Sequence, residues 1–257
     1  MKTLYLDCFS GISGNMFVGM LLQSGVSFER FSAAMASLGL TGYSLVCRPV
    51  VKAGIQALYY NVLLDEEGHG HQHGHDHHHD QEHHGHRNLQ DITEIIEKAP
   101  LENEVKERSL AVFSQLAQAE AKVHGIPVAS VHFHEVGAVD CILDIVGTAW
   151  ALKELGIEQI GASPLHVGSG FVRCAHGLMP VPAPATAELL TGIPYYAADI
   201  RGELVTPTGA ALVKTLAAYI GPRPKEFVHH GTAYGAGTKD LEIPNVLRGF
   251  IGEAPHW

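Results

Sequence analysis

Ser130-Val-His-Phe-His-Glu-Val-Gly-Ala-Val-Asp-Cys-Ile-Leu-Asp144 changes its period half-way along. His132 and His134 are two apart, so on an extended strand both rings leave one face. Gly137 interrupts, and from Val139 the pattern turns helical. Asp140 and Asp144 are then one turn apart on one face, while Ile142, Ile145, Val146 and Ala149 form the apolar stripe opposite. The stretch reads as strand, tight turn, helix, with Glu135 at the corner. Imidazoles and carboxylates converging in this way suit a borderline divalent cation such as Zn, Ni or Co. The spacing is equally that of a solvated helix face with acids favoured in its first turn.

Working toward the N-terminus, Gly68 to Arg87 holds His69, His71, His73, His75, His77, His78, His79, His83, His84 and His86. No core can be built from this composition, so a disordered, solvated loop is expected. Being internal and broken by Gly, Asp and Gln, it does not resemble an expression tag. Many subsets of its imidazoles satisfy Ni, Cu, Zn or Co, giving high capacity and poor selectivity. A loop without fixed geometry cannot preorganise a reaction.

Thr3 to Cys8 reads as a buried strand, and Ser10-Gly-Ile-Ser-Gly-Asn15 leads from it into a helix at Met16 to Gln23. Such a loop offers backbone N–H groups to a phosphate, although it is neither G-x-G-x-x-G nor a Walker loop. Asp7 stands at the strand end, where an α/β sheet often places a functional carboxylate. Ser10, Gly11, Ser13 and Gly14 are the candidate phosphate contacts here. Thr206-Pro-Thr-Gly209 is a second helix start, with Thr206 as cap and Pro207 in the first turn, adding Thr206, Thr208 and Gly209.

Phe28 to Leu38 is a helix, and Tyr43 to Val51 with Ile55 to Leu64 a β-hairpin, which makes a purely parallel sheet unsuitable. Leu89 to Lys98 and Val105 to His124 are amphipathic helices, and the helix beginning at Val139 runs to Leu155. Ile157 to Ser163 suits a strand and Thr186 to Leu190 a helix. Cys174 and His176, again two apart, are a soft and a borderline donor, or a buried thiol beside an incidental histidine. His229 to Gly237 is expected as a glycine-rich turn region before a last strand around Asn245 to Ile251. The fold class is α/β: a mixed parallel and antiparallel sheet with packed helices and a disordered His-rich loop. Residues 1–67 form an N-terminal α/β segment, 68–87 the loop, and 88–257 the remainder of the same α/β domain.

The composition narrows the function. At 257 residues, 46% hydrophobic and 17% charged, the chain can bury a full core. A net charge of -10 leaves no basic stripe for nucleic acid and favours cations. Four scattered cysteines, Cys8, Cys47, Cys141 and Cys174, give neither a disulfide framework nor a Cys-rich zinc site. No signal peptide and no membrane-spanning run is present, so a cytoplasmic, reduced protein is expected.

Four motifs in order carry a likeness to a known family: Asp7 to Met16, His132 to Asp140, His176 to Thr186 and Thr206 to Ala211. Gly235 to Lys239 and Pro244 to Arg248 extend it. Together with the histidine-rich loop, these resemble the LarC family of nickel insertion proteins for the nickel-pincer cofactor of lactate racemase. The family has Asp where Asn15 stands, and its members continue into a C-terminal domain beyond this chain. The resemblance implies a nickel chelatase of the lyase class that places Ni²⁺ in pyridinium-3,5-bisthiocarboxylic acid mononucleotide. It further implies CTP with a divalent cation bound by the C-terminal domain, lactate racemase as recipient, and an oligomer in the full-length form. His132, His134, Glu135, Asp140, Asp144 and His176 are the expected ordered nickel ligands. A passive nickel store without insertion chemistry is the main alternative. A metal-dependent hydrolase using the same His/Asp set fits less well, since H-E-x-x-H is absent.

Overall fold

The structure, a computed structural model, describes residues 1–65, 87–133, 138–174 and 177–257. The ten histidines of the expected loop, together with His134, Glu135 and His176, lie outside the described residues. In chain order, β1 (Lys2–Asp7) leads to α1 (Gly14–Gln23), α2 (Phe28–Ala36), β2 (Tyr43–Lys52) and β3 (Ile55–Leu64). Then come α3 (Leu89–Lys98), α4 (Asn103–His124), α5 (Val139–Glu154) and β4 (Gln159–Ala162). Four short strands follow: β5 (Leu165–His166), β6 (Gly168–Ser169), β7 (Phe171–Cys174) and β8 (Gly177–Pro180). The chain continues through α6 (Pro184–Leu189), β9 (Tyr195–Tyr196), β10 (Gly202–Glu203), α7 (Pro207–Leu216) and β11 (Tyr219–Ile220). It closes with β12 (Val228–Ala236) and β13 (Val246–Glu253).

Seven strands form the main sheet in the order β11-β4-β1-β13-β12-β3-β2. β11, β4 and β1 run parallel, β13 is antiparallel to both β1 and β12, and β3 is parallel to β12. The sheet is therefore mixed, as expected, and it joins strands from before and after residues 66–86. The β2–β3 hairpin turns on Ala53 and Gly54, both at positive φ, the geometry that a two-residue loop between twisted strands requires.

Alternation along β1 sorts the two faces. Leu4 and Leu6 enter the main core with Phe17, Met20 and Leu21 of α1, whereas Tyr5 joins a small cluster with Phe227 and Ala254 on the other side. α1 lies on β12 and β3, α5 packs on α1, and α4 crosses α5, α6 and α7. Among the described residues, no helix is long and apolar enough to cross a membrane.

Two expectations change. Residues His229 to Gly237 do not form a turn region: Val228–Ala236 is an inner strand of the sheet, flanked by β13 and β3. Its Gly235 marks close approach by α1, since a Cβ there would stand 1.8 Å from the Met16 carbonyl oxygen. Among the described residues around His132 there is no extended strand either. Val128–Ser130 is a single 3₁₀ turn, and His132 makes one isolated antiparallel bridge to Asn88.

Candidate functional site

The starts of three helices meet at one cleft. Ser13, Gly14 and Asn15 come from the start of α1, Asp140, Cys141 and Asp144 from α5, and Thr206, Pro207 and Thr208 from α7. Asn61, Glu203 and Thr238 complete the wall of a space of ≈ 270 Å³. Local bonding explains the assembly. Ile12 and Val205 form a parallel bridge, with Ile12 N donating to Leu204 O at 2.9 Å and Thr206 N to Ile12 O at 3.1 Å. Thr206 caps α7 by accepting from Gly209 N at 3.1 Å. Two glycines make the approach possible. A Cβ on Gly209 would lie 2.2 Å from Ile12 O, and one on Gly14 would lie 2.5 Å from Asp144 Oδ2. Gly11 turns the loop with φ at +77°.

The acids at this cleft do not form a solvated helix face. Asp144 Oδ1 is buried with no hydrogen-bond partner among the described residues. Burial, and then the charge of Asp140, hold its carboxyl well above the ordinary carboxylate range. Asp140 is exposed as a residue, yet desolvation against the cleft wall raises its carboxyl too. N–H bonds from its own backbone and from Cys141 partly offset that rise. Between the two acids, Cys141 Sγ lies 3.2 Å from Thr208 Oγ1, and burial pushes this thiol upward, out of the thiolate range. Asn15 accepts from Ser13 Oγ at 2.6 Å and donates to Tyr60 O at 3.4 Å. The second of these bonds is one an aspartate could not make.

The family profile described as nickel insertion protein matches residues 4–256. The chain belongs to this family. It is 50% identical over 253 residues to the pyridinium-3,5-bisthiocarboxylic acid mononucleotide nickel insertion protein of Desulfitobacterium hafniense (strain DSM 10664 / DCB-2), covering 98% of this chain and 59% of that protein. The protein of the same name from Geobacillus kaustophilus (strain HTA426) is 50% identical over 257 residues, at 98% and 60% coverage. A putative nickel insertion protein of Geobacter metallireducens (strain ATCC 53774 / DSM 7210 / GS-15) is 49% identical over 257 residues, at 99% and 62%. The chain thus spans about three fifths of the length of these curated relatives. No solved structure matches it.

For a member of the nickel insertion family, the placement of the other expected residues is informative. Asp140, Asp144, Ser13, Gly14, Thr206 and Thr208 share the cleft, and Gly209 packs directly behind it. Asp7 is elsewhere: its Oδ2 accepts from Arg248 Nε at 3.0 Å and from the same guanidinium's terminal nitrogen at 2.5 Å, across the β1–β13 pair. Ser10 is fully buried, its hydroxyl without a partner among the described residues. His132 is exposed and does not line the cleft, but its neighbourhood is fixed. Phe133 N donates to Arg87 O at 3.0 Å, and Asn88 opens α3 with a reciprocal capping box to Asp91. The chain therefore returns from the histidine-rich run directly against His132.

Among the described residues, no three His, Cys, Asp or Glu side chains gather as a metal cage. An ordered pair of carboxylates leaves most coordination positions to other donors, which is what a site that hands its ion onward requires. Cys141, Asn61, Glu203 and Thr238 are cleft residues that the sequence did not single out. Only Cys141 had a signal, its place between the two acids. Asn61, Glu203 and Thr238 arrive from distant segments. Cys174 lines a second concavity that adjoins the cleft, sharing Glu203 and Pro207 with it.

Proposed function

We propose that the chain binds Ni²⁺ and takes part in its insertion into pyridinium-3,5-bisthiocarboxylic acid mononucleotide, forming a sulfur–carbon–sulfur pincer complex. In this reading the run from His69 to His86 gathers the ion, His132, His134 and Glu135 pass it on, and Asp140 with Asp144 holds it for transfer. Family membership supports the metal and the acceptor, through the names that its relatives carry. The observation that carries the site is Asp144: a buried carboxylate oxygen without a partner among the described residues, one helical turn from a second carboxylate, at the meeting of three helix starts. A divalent cation is the species that offsets the desolvation of both groups at once. Two Ni–S bonds and one Ni–C bond form in such an insertion, and the proton on that carbon must leave. A carboxylate whose proton affinity is raised by burial is suited to accept it.

The remaining parts of the reading concern the longer protein. We assign it to the nickel chelatases of the lyase class, acting in the cytoplasm as an oligomer and serving lactate racemase. CTP and its divalent cation are assigned to the C-terminal domain. Ser13, Gly14 and the Thr206–Gly209 helix start are the proposed contacts of the acceptor's thiocarboxylate end, with His176 a proposed further nickel ligand.

Asp140→Asn with Asp144→Asn tests the assignment. Nickel-loaded protein is given the acceptor, and nickel-bearing product is counted by mass spectrometry. The double variant is expected to keep bulk nickel binding through its imidazoles while transfer falls by roughly 100-fold or more, on the scale of a lost charge-stabilising group. Unchanged transfer would remove these carboxylates from the reaction. The ten histidines support a second reading, that of a nickel store, in which deleting them abolishes every nickel-dependent effect.

A further inference from the structure

The concavity beside the acidic cleft has a volume of ≈ 410 Å³ and meets the cleft at Glu203 and Pro207. Its walls are mostly apolar: Val172 and Met179 from the β7–β8 hairpin, Val123 from the end of α4, and Ala183 to Ala185 where α6 begins. Along β7, Phe171 and Arg173 are exposed while Val172 and Cys174 are half-buried, and Arg173 is among the residues that line the groove. Arg173 is the one arginine or lysine among the described residues that line this groove. Glu120 and Glu203 add carboxylates, Glu120 lying 3.4 Å from His124.

We propose that this groove seats the organic acceptor of nickel. The inference rests on the reading that the chain handles a pyridinium mononucleotide, and it assigns that molecule a place. The flat ring lies between Val172 and Met179 on one side and the Ala183–Pro184 wall on the other. Its ring cation is offset by Glu203 and Glu120, and its phosphate stays at the wet mouth against Arg173. This orientation turns one sulfur-bearing substituent toward the Glu203–Pro207 junction, and so toward Asp140 and Asp144. Three observations agree. The volume falls in the ~300–1,000 Å³ range of small-molecule sites. The order of walls, from apolar interior to cationic mouth, matches a molecule with an aromatic head and a phosphorylated tail. The groove also shares Glu203 and Pro207 with the cleft that Asp140 and Asp144 line. Arginine is the residue suited to a phosphate at the mouth, because its fork donates two parallel hydrogen bonds.

Nicotinic acid mononucleotide, a pyridinium mononucleotide with a carboxylate on the ring, is the probe, bound to the nickel-free full chain and followed by calorimetry and amide NMR. The wild type is expected to bind, with shifts centred on Val172, Met179 and Ala185. Arg173→Met weakens binding by on the order of ten- to a hundred-fold, the scale of a lost charge-assisted hydrogen bond, and Arg173→Lys recovers only part. Arg173 is exposed, so equal melting temperatures of variant and wild type serve as the folding control. Unchanged affinity in Arg173→Met, shifts confined to the Asp140–Asp144 cleft, or no binding of the probe at millimolar concentration would each overturn the proposal. A nickel titration of Asp140→Asn with Asp144→Asn reads the metal site without the probe, so either assignment can fail alone.

Discussion

Asp144 brings a cost to the folded state that its position in α5 does not offset. Its Oδ1 is buried without a partner among the described residues, and its carboxyl is raised by burial and by Asp140. An acid whose pKa is higher folded than unfolded binds more protons in the native state across the interval between the two values. Its contribution to stability is complete below the unfolded value, about 3.9. It is lost as pH rises through the folded value. Metal-free Asp144→Asn should therefore melt higher than the wild type at pH 7 to 8, with the gap closing toward pH 4 in a pH series of melting curves. A gap that widens on acidification would contradict the burial argument. Gly14 tests the same contact from the other side. A methyl group there meets Asp144 Oδ2 at 2.5 Å, so Gly14→Ala should cost about 1–3 kcal/mol in urea unfolding, as overpacking does. The pairing of Asp140 with Asp144 was legible from their spacing. Their desolvation was not, because the covering surfaces come from α1 and α7, far away in the chain.

At the scale of elements, local signals sufficed wherever a helix carried its own start and stop. Leu89–Lys98 lies where its periodicity put it, and Thr206 with Pro207 begins α7 as its capping chemistry requires. Thr206→Ala removes the bond to Gly209 N and should lower stability by about 1 kcal/mol, measured by urea denaturation, while Thr206→Ser restores most of it. Strands were harder to place where packing set the sequence. The glycines of β12 weaken its propensity, yet Gly235 lets α1 sit against the sheet, and burial outweighs preference there. The reverse holds around His132. Two histidines at strand spacing suggested a strand, but the described part of the segment follows a 3₁₀ turn and meets Asn88 in one bridge and Arg87 in one hydrogen bond. A single bridge with no neighbouring ladder leaves that spacing without a sheet to serve. The second groove was illegible for a similar reason. The β7–β8 hairpin and the start of α6 are close in sequence, but α4, Glu203 and Pro207, which close the groove, come from distant segments.

On the scale of the whole molecule, the sheet holds the segments on either side of residues 66–86. β3, which precedes residues 66–86, is held by β2 and β12, and Arg87 and Asn88, which follow them, are held by Phe133, His132 and Asp91. Both ends of the histidine-rich run are thus anchored by contacts that do not involve it. Replacing Gly68 to Arg87 by a flexible Gly/Ser linker should leave the melting temperature within a few degrees of the wild type. Nickel calorimetry then separates the two readings of the protein. In the intact chain, high-capacity binding should fade below about pH 6 as imidazoles protonate. The deletion should lose that capacity and keep on the order of one ion per chain, set by the Asp140–Asp144 pair with its open positions. Adding Asp140→Asn and Asp144→Asn to the deletion should remove the remaining ion. If the deletion alone already binds none, the cleft holds no nickel without the loop, and the store becomes the better account of this chain. If one ion stays and disappears with the two carboxylates, gathering and holding are distinct functions of one molecule. The histidine-rich run then sets how much nickel arrives, and the meeting of α1, α5 and α7 sets where it is presented.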